Sequence, residues 1–97
     1  MVEVMTIEEL RQRIDVIDDQ LVRLLNVRVA CAVEIGRIKH EQGLPIYQPD
    51  REKQVLEQVR ASAVALSGPL NADAVVRIFE RVMDEARRAE RVSGARP

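Results

Sequence analysis

The sequence contains few of the residues from which metal sites, disulfide bonds and nucleic-acid surfaces are built. Its 97 residues include one cysteine, one histidine, no tryptophan, one tyrosine and one phenylalanine. With only Cys31 and His40, we expect neither a disulfide nor a metal site, because a structural zinc site takes about four such ligands. Cys31 lies among small apolar residues and is predicted to be a buried thiol. His40 lies near a predicted helix end and is expected at the surface.

The composition also gives no support for binding to nucleic acid or to membranes. The formal net charge is −1 and the only aromatic residues are Tyr47 and Phe79, whereas nucleic-acid surfaces are usually basic and carry stacking aromatics. No segment reaches the roughly 18 uninterrupted apolar residues of a membrane span, and residues 1–5 include Glu3 and no apolar signal core. We therefore expect a cytoplasmic chain with neither kind of partner.

Proline and glycine are almost absent from one long stretch, residues 6–41, in which Gly36 is the exception. Thr6 and Glu9 form a T-x-x-E capping box, which predicts a helix that begins at Thr6 or Ile7. A helix of roughly 35 residues is about 50 Å long, and the rest of one chain is too short to cover it. We therefore expect a homodimer. The face that needs covering is marked by residues at alternating steps of four and three: Leu10, Ile14, Ile17, Leu21, Leu24, Arg28, Cys31, Ile35 and Ile38.

The remaining sequence predicts two shorter helices. A glycine and two prolines end the first helix, and the second is expected over about residues 49–64. Asn71 is placed to cap the third helix. Residues 1–5 and 93–97 are expected to be flexible, because they have little to bury. With no repeat and no strand pattern, the sequence predicts a single all-α domain over residues 1–97, with one long and two shorter helices.

Charges within the apolar face mark candidate functional positions, because a buried charge is costly unless something pairs with it. On an ideal helix Arg28 and Lys39 share one face, about 16 Å apart along the axis. The small residues Ala32 and Gly36 leave room between them, so the two long side chains are able to converge on one small anion. The alternative is an arginine that extends its charge to solvent or pairs with a glutamate of a partner subunit.

Arg11 lies about 25 Å from Arg28 along the same helix and roughly 100° around it, so one copy cannot hold a small ligand with both. An antiparallel partner removes this difficulty, because it brings the partner subunit's Arg11 close to Arg28. Such a dimer has two equal sites, each built from both subunits. In a single chain, Arg11 is expected to be a solvated surface charge.

Two segments carry a resemblance to a known family. LRQRIDVIDDQLVRLLNVRVACAVEIGRIK at 10–39 and LPIYQPDREKQVLEQV at 44–59 resemble the all-helical (type II) chorismate mutases, and the resemblance extends over about residues 6–91. It implies an intertwined, domain-swapped homodimer with three helices per chain. It also implies an isomerase that converts chorismate to prephenate by an intramolecular Claisen rearrangement, in aromatic amino-acid biosynthesis and without a cofactor.

The resemblance assigns a role to each charged position. Arg28 and the partner subunit's Arg11 are expected to hold the two carboxylates of the substrate, for which bidentate guanidinium geometry is well suited. Lys39 is expected to donate to the ether oxygen. Arg51 corresponds to a position near the carboxylates, and Glu52 to the position that accepts a hydrogen bond from the substrate hydroxyl.

Three substrate-binding positions depart from the common family pattern. Gln48 stands where many relatives are acidic, which leaves hydroxyl recognition more to Glu52, and Ala86 stands where some relatives have a small hydroxyl residue. Glu90 stands where glutamine is common and glutamate is also found in the family. Opposite Lys39, it is able to donate to the ether oxygen only when protonated. Burial favours that form, the nearby cations oppose it, and the alternative is an exposed glutamate without influence.

Two other functions remain as alternatives at this stage. An isochorismate pyruvate lyase shares this fold and much of the site, although the PIYQPDRE stretch favours the mutase. A non-catalytic helical dimerisation or regulatory module is expected if the internal charges merely pair with one another. Nothing in the sequence identifies another enzyme of the pathway as a docking partner.

Overall fold

A computed structural model describes residues 4–45 and 47–94, which form three α-helices. Helix α1 is Ile7–Gln42, α2 is Pro49–Leu66 and α3 is Ala72–Gly94. Residues 4–45 and 47–94 contain no strand, and no helix among them is both long enough and apolar enough to cross a membrane. The prediction of an all-α chain with one long and two shorter helices is therefore confirmed.

Helix α1 begins and ends where its local sequence signals place the caps. Thr6 is the N-cap, and its side chain accepts a hydrogen bond of 3.1 Å from the backbone N–H of Glu9. At the other end Gly43 adopts the left-handed conformation, with φ of 68°, and its N–H donates to the carbonyl of His40. A residue without Cβ adopts this conformation at little cost, which explains why the helix stops at Gln42. His40 is exposed, as predicted.

The two shorter helices run further than the sequence predicts. Helix α2 extends beyond Val64 to Leu66, and Ser67 follows in the left-handed conformation. Asn71 caps α3 as predicted, because its side chain accepts a 2.8 Å hydrogen bond from the N–H of Ala74. Ser93 was expected to begin a flexible tail, but α3 continues through it to Gly94. Arg91 in the last turn complements the negative end of the helix, which favours the extra turn. The rest of that predicted tail, residues 95–97, lies outside the described residues.

Helix α3 packs against both other helices, so it lies between α1 and α2 in the described chain. The resulting molecule is elongated, with dimensions of 60 × 28 × 17 Å. Its core is small: within the described residues the buried apolar side chains are Ala63, Met83 and Ala86. The described part of one chain therefore buries little apolar surface for its length.

The first half of α1 is left largely uncovered by the described residues. Its five apolar seam residues are between 45% and 65% exposed, namely Leu10, Ile14, Ile17, Leu21 and Leu24. Further along, α3 covers a face that includes Val29, Val33 and Gly36, all partly buried. Cys31 lies beside that face and is exposed, so the prediction of a buried thiol is wrong for the single chain. The sequence marks the apolar face of α1 but does not show which edge of it α3 covers.

Candidate active site

Charged side chains from all three helices meet where the second half of α3 passes between α1 and α2. Lys39 comes from the last turn of α1, Glu52 from the first turn of α2, and Arg87 and Glu90 from α3. All four are partly buried. The structure therefore brings together three of the residues predicted for the site, Lys39, Glu52 and Glu90, and adds Arg87.

Glu90 packs directly on the backbone of α1 at Gly36. A methyl group built at Gly36 would lie 3.3 Å from Oε2 of Glu90, so the missing side chain is what gives the carboxyl its place. Lys39 lies three residues further along α1, on the same side of the helix, and its charge acts on Glu90. Gly36 thus has a definite function in the geometry, because its lack of a side chain allows the Glu90 carboxyl of α3 to lie against the backbone of α1.

The environment of Glu90 raises the pKa of its carboxyl above the ordinary value. Burial is the largest cause, and the negative charge of Glu52 acts in the same direction. The positive charges of Lys39 and Arg87 lower the pKa, but they do not cancel the effect of burial. The protonated form of Glu90 is therefore favoured relative to an exposed glutamate. The effect of burial on this pKa is thus larger than that of the neighbouring cations. It favours the protonated carboxyl, which is the form that can donate a hydrogen bond.

Arg87 is the charged residue of this cluster that the sequence analysis missed. Its Nη1 donates to Oε2 of Glu52 across the α2–α3 interface, and its Nη2 donates to Oδ1 of Asp84 on its own helix. The hydrogen bond to Glu52 raises the pKa of Arg87, so the guanidinium stays charged. The i,i+3 spacing of Asp84 and Arg87 is a recognisable sequence signal, but it indicates only a surface pair.

Arg28 is partly buried, and its guanidinium carbon lies 5.9 Å from the centre of the Phe79 ring. This is a cation–π contact between α1 and α3, which supports the guanidinium without neutralising it. Among the described residues, no carboxylate forms an ion pair with Arg28. The arrangement therefore leaves its positive charge available for an external anion, rather than pairing it inside the chain.

The other predicted site residues lie away from this cluster or contribute only shape. Arg11 and Gln48 are exposed, and Arg51 is exposed with Nη1 donating to Oε1 of Gln54 at 2.6 Å. Ala86 is buried, one turn before Glu90 on α3. In one chain, then, Arg11 is a surface charge, as expected in the absence of a partner subunit.

The described residues leave the cluster only partly covered. Two surface hollows flank the start of α2: Glu52 and Tyr47 line one, and Gln48 and Arg51 line the other. Neither hollow is lined by Lys39 or Glu90. In the part of the chain that the structure describes, no three His, Cys, Asp or Glu side chains are grouped so that they could hold a metal ion.

Comparison with known proteins relates this arrangement to one family. Residues 10–91 match the family described as chorismate mutase type II. The chain is 37% identical over 78 residues to the bifunctional chorismate mutase/prephenate dehydratase of Aquifex aeolicus, and 39% identical over 85 residues to the T-protein of Enterobacter agglomerans. These alignments cover 79% and 88% of this chain but 22% of each relative, so the chain spans about a fifth of their length.

A solved structure has the same fold over most of both chains. It is chorismate mutase (form II) from Thermus thermophilus, with a TM-score of 0.81 and 30% sequence identity, and the match covers 88% of this chain and 93% of that one. The family match includes the helices that carry Arg28, Lys39, Glu52 and Glu90. The chain therefore belongs to the type II chorismate mutase family.

Proposed function

We propose that this chain converts chorismate to prephenate by an intramolecular Claisen rearrangement. The observation that carries the proposal is the position of a partly buried Glu90, with a raised pKa, against Gly36 of α1 and within the electrostatic influence of Lys39. The reaction breaks a carbon–oxygen bond and forms a carbon–carbon bond within one molecule. Negative charge grows on the ether oxygen as the bond breaks, and two hydrogen-bond donors directed at that oxygen stabilise the transition state.

The remaining charged residues fit the other demands of the reaction. The substrate is a dicarboxylate that must be held in a folded conformation, so cations at fixed positions contribute by orientation as well as by charge. Arg28, whose guanidinium contacts the ring of Phe79, is proposed to hold one carboxylate of the substrate. Arg51, in the first turn of α2, is proposed to lie close to the carboxylates. Glu52 is proposed to accept a hydrogen bond from the substrate hydroxyl. The electrons move within one molecule, and the reaction therefore needs no cofactor.

The second carboxylate is proposed to be held by the partner subunit's Arg11. The uncovered apolar face of α1 supports a homodimer, because five large side chains that are about half exposed are costly to leave in water. An antiparallel, intertwined arrangement of two long helices brings the partner subunit's Arg11 toward Arg28. The site is then closed by the second copy, which explains why one chain leaves it open. We place this activity in the cytoplasm.

An assay of the purified protein with chorismate and with isochorismate tests the proposal. We expect prephenate from chorismate. Salicylate and pyruvate from isochorismate, without prephenate formation, would favour the lyase instead. No product from either substrate, in a protein with the helical circular dichroism of the folded chain, would identify a non-catalytic module.

The pH dependence of activity is expected to report the protonation of Glu90. Because only the protonated carboxyl donates to the ether oxygen, kcat/KM should decline as pH rises through the raised pKa of Glu90. Glu90→Gln provides a permanent donor of similar shape and should remove this alkaline limb. Profiles measured from acid to alkaline pH for both proteins check this. If the two profiles superimpose, Glu90 does not serve the ether oxygen.

Gly36→Ala is expected to separate stability from activity. Alanine in a helix interior is more stable than glycine by up to about 1 kcal/mol, which should raise the midpoint of thermal unfolding. The new methyl group would meet Oε2 of Glu90 at 3.3 Å, and the carboxyl must shift to relieve the contact. Loss of alignment should lower kcat/KM by about tenfold. Gly68→Ala, in the loop after α2, is the control for the steric contact, because a methyl group there meets no atom of the described chain within 4 Å. Full activity in Gly36→Ala would show that the position of Glu90 is not critical.

A further inference from the structure

Arg87 contacts one carboxyl group of the proposed site, that of Glu52, and acts through its charge on another, that of Glu90. Its guanidinium binds Glu52 on α2 through Nη1 and Asp84 on α3 through Nη2. It lies three residues before Glu90, on the same side of α3, and its charge acts on Glu90. A single guanidinium thus contacts the group proposed for the substrate hydroxyl and influences the group proposed for the ether oxygen.

The bond from Arg87 uses only one oxygen of Glu52. Oε2 accepts from Arg87, while Oε1 accepts no hydrogen bond from any described residue. The hydrogen bond and ion pair with Arg87 restrict the orientations of the Glu52 carboxylate to those that keep Oε2 against the guanidinium. Arg87 therefore restrains Glu52 and leaves its Oε1 as an acceptor for a ligand. Without this contact, a glutamate in the first turn of a helix would move more freely.

The charges around Glu90 come from every helix of the chain. Lys39 faces it from α1, Glu52 from α2, and Arg87 from α3 itself. Glu52 and Arg87 have opposite effects on Glu90, and they form an ion pair with each other. Removal of Arg87 would take away the ion-pair partner that the structure shows for the Glu52 carboxylate.

We infer that Arg87 is a positioning residue of the site: it aims Glu52 at the substrate hydroxyl and offsets the negative charge of Glu52 beside Glu90. The inference rests on the proposed function. Its basis is the geometry of one guanidinium that contacts Glu52 and Asp84 in the interface between two helices.

A second ion pair between α2 and α3 provides the comparison for a purely structural role. Arg60 donates to Asp73 at 2.9 Å, and these side chains are 50% and 72% exposed, against 35% and 28% for Arg87 and Glu52. Arg60 lies eight residues after Glu52, about 12 Å along α2, so its loss removes a helix–helix link without touching the cluster. Arg60→Met is therefore the matched control for Arg87→Met.

The test measures kcat, KM and the pH profile for the wild type, Arg87→Met, Arg87→Lys and Arg60→Met. In Arg87→Met, KM should rise by about tenfold because Glu52 loses its orientation. The alkaline limb should move to higher pH, because the loss of a cation favours the protonated form of Glu90. Arg87→Lys keeps the positive charge but cannot form both guanidinium hydrogen bonds, to Glu52 and to Asp84. It should therefore raise KM and leave the alkaline limb of the pH profile in place. Arg60→Met should change neither.

A shift of the alkaline limb is a signature that a merely structural residue would not produce. An Arg87→Met enzyme with the KM and the pH limb of Arg60→Met would overturn the inference. If Arg87→Met fails to fold, Arg87→Lys tests whether Arg87 orients Glu52, since an unchanged KM in that variant would reject this role.

Titration of the Glu90 carboxyl by carbon-13 NMR, in wild type and Arg87→Lys or Arg87→Met, needs no substrate. If the wild type makes no prephenate, the proposed function fails, and an unchanged Glu90 titration in Arg87→Met would separately reject the charge effect of Arg87.

Discussion

Lys39→Ala is expected to lower kcat by about two to three orders of magnitude, with KM within a few-fold of the wild-type value. Charge on the ether oxygen is small in bound chorismate and grows as the carbon–oxygen bond breaks. An ammonium group directed at that oxygen therefore contributes mainly to the transition state, and its removal appears in kcat rather than in KM. Steady-state kinetics of prephenate formation, at a pH where Glu90 is protonated, measures both parameters.

The same variant should also change the pH profile. The positive charge of Lys39 lowers the pKa of Glu90, so its loss should move the remaining alkaline limb to higher pH. Lys53→Ala is the control, because Lys53 is an exposed lysine on α2 next to Glu52. It should leave kcat and the limb unchanged. Normal turnover in Lys39→Ala would remove Lys39 from the mechanism.

The helices were predictable from sequence because their ends are local. The hydroxyl of Thr6, the missing side chain of Gly43 and the amide of Asn71 each act within about one turn of their own position. No long-range information is needed for such signals. The extension of α2 to Leu66 and of α3 to Gly94 shows their limit. A helix continues past its last clear signal when nothing opposes it, through good helix formers in α2 and through weak ones in α3.

The site was less predictable, because its decisive features join distant parts of the chain. Arg87 and Glu52 are 35 residues apart, and no spacing rule for one helix connects them. The exposure of Cys31 depends on which edge of α1 is covered by α3, and the raised pKa of Glu90 depends on how deeply that packing buries it. The residues assigned by resemblance to the family were available from sequence, but the balance of charges among them required the packing of three helices.

Arg11→Ala and Arg28→Ala should each lose nearly all activity, and a mixture of the two should regain part of it. In the proposed dimer, each site takes Arg28 from one chain and Arg11 from the other. When the two variants are unfolded and refolded together, about half of the dimers are mixed, and each mixed dimer has one intact site. The expected recovery is therefore about a quarter of the wild-type activity for the same amount of protein. Each variant refolded alone should remain inactive.

The reciprocal mixture distinguishes a shared site from two arginines that act in the same chain. A double variant, Arg11→Ala with Arg28→Ala, is refolded with an equal amount of wild type. If the site is shared, every mixed dimer has two broken sites and activity should fall to about a quarter of the pure wild type, whereas independent chains would retain about half. Analytical ultracentrifugation must show dimers in both mixtures, because the loss of carboxylate contacts should leave the apolar face of α1 and its pairing intact. No recovery in the first mixture, with half of the activity retained in the second, would place both arginines in one chain and reject the antiparallel pairing of the long helices.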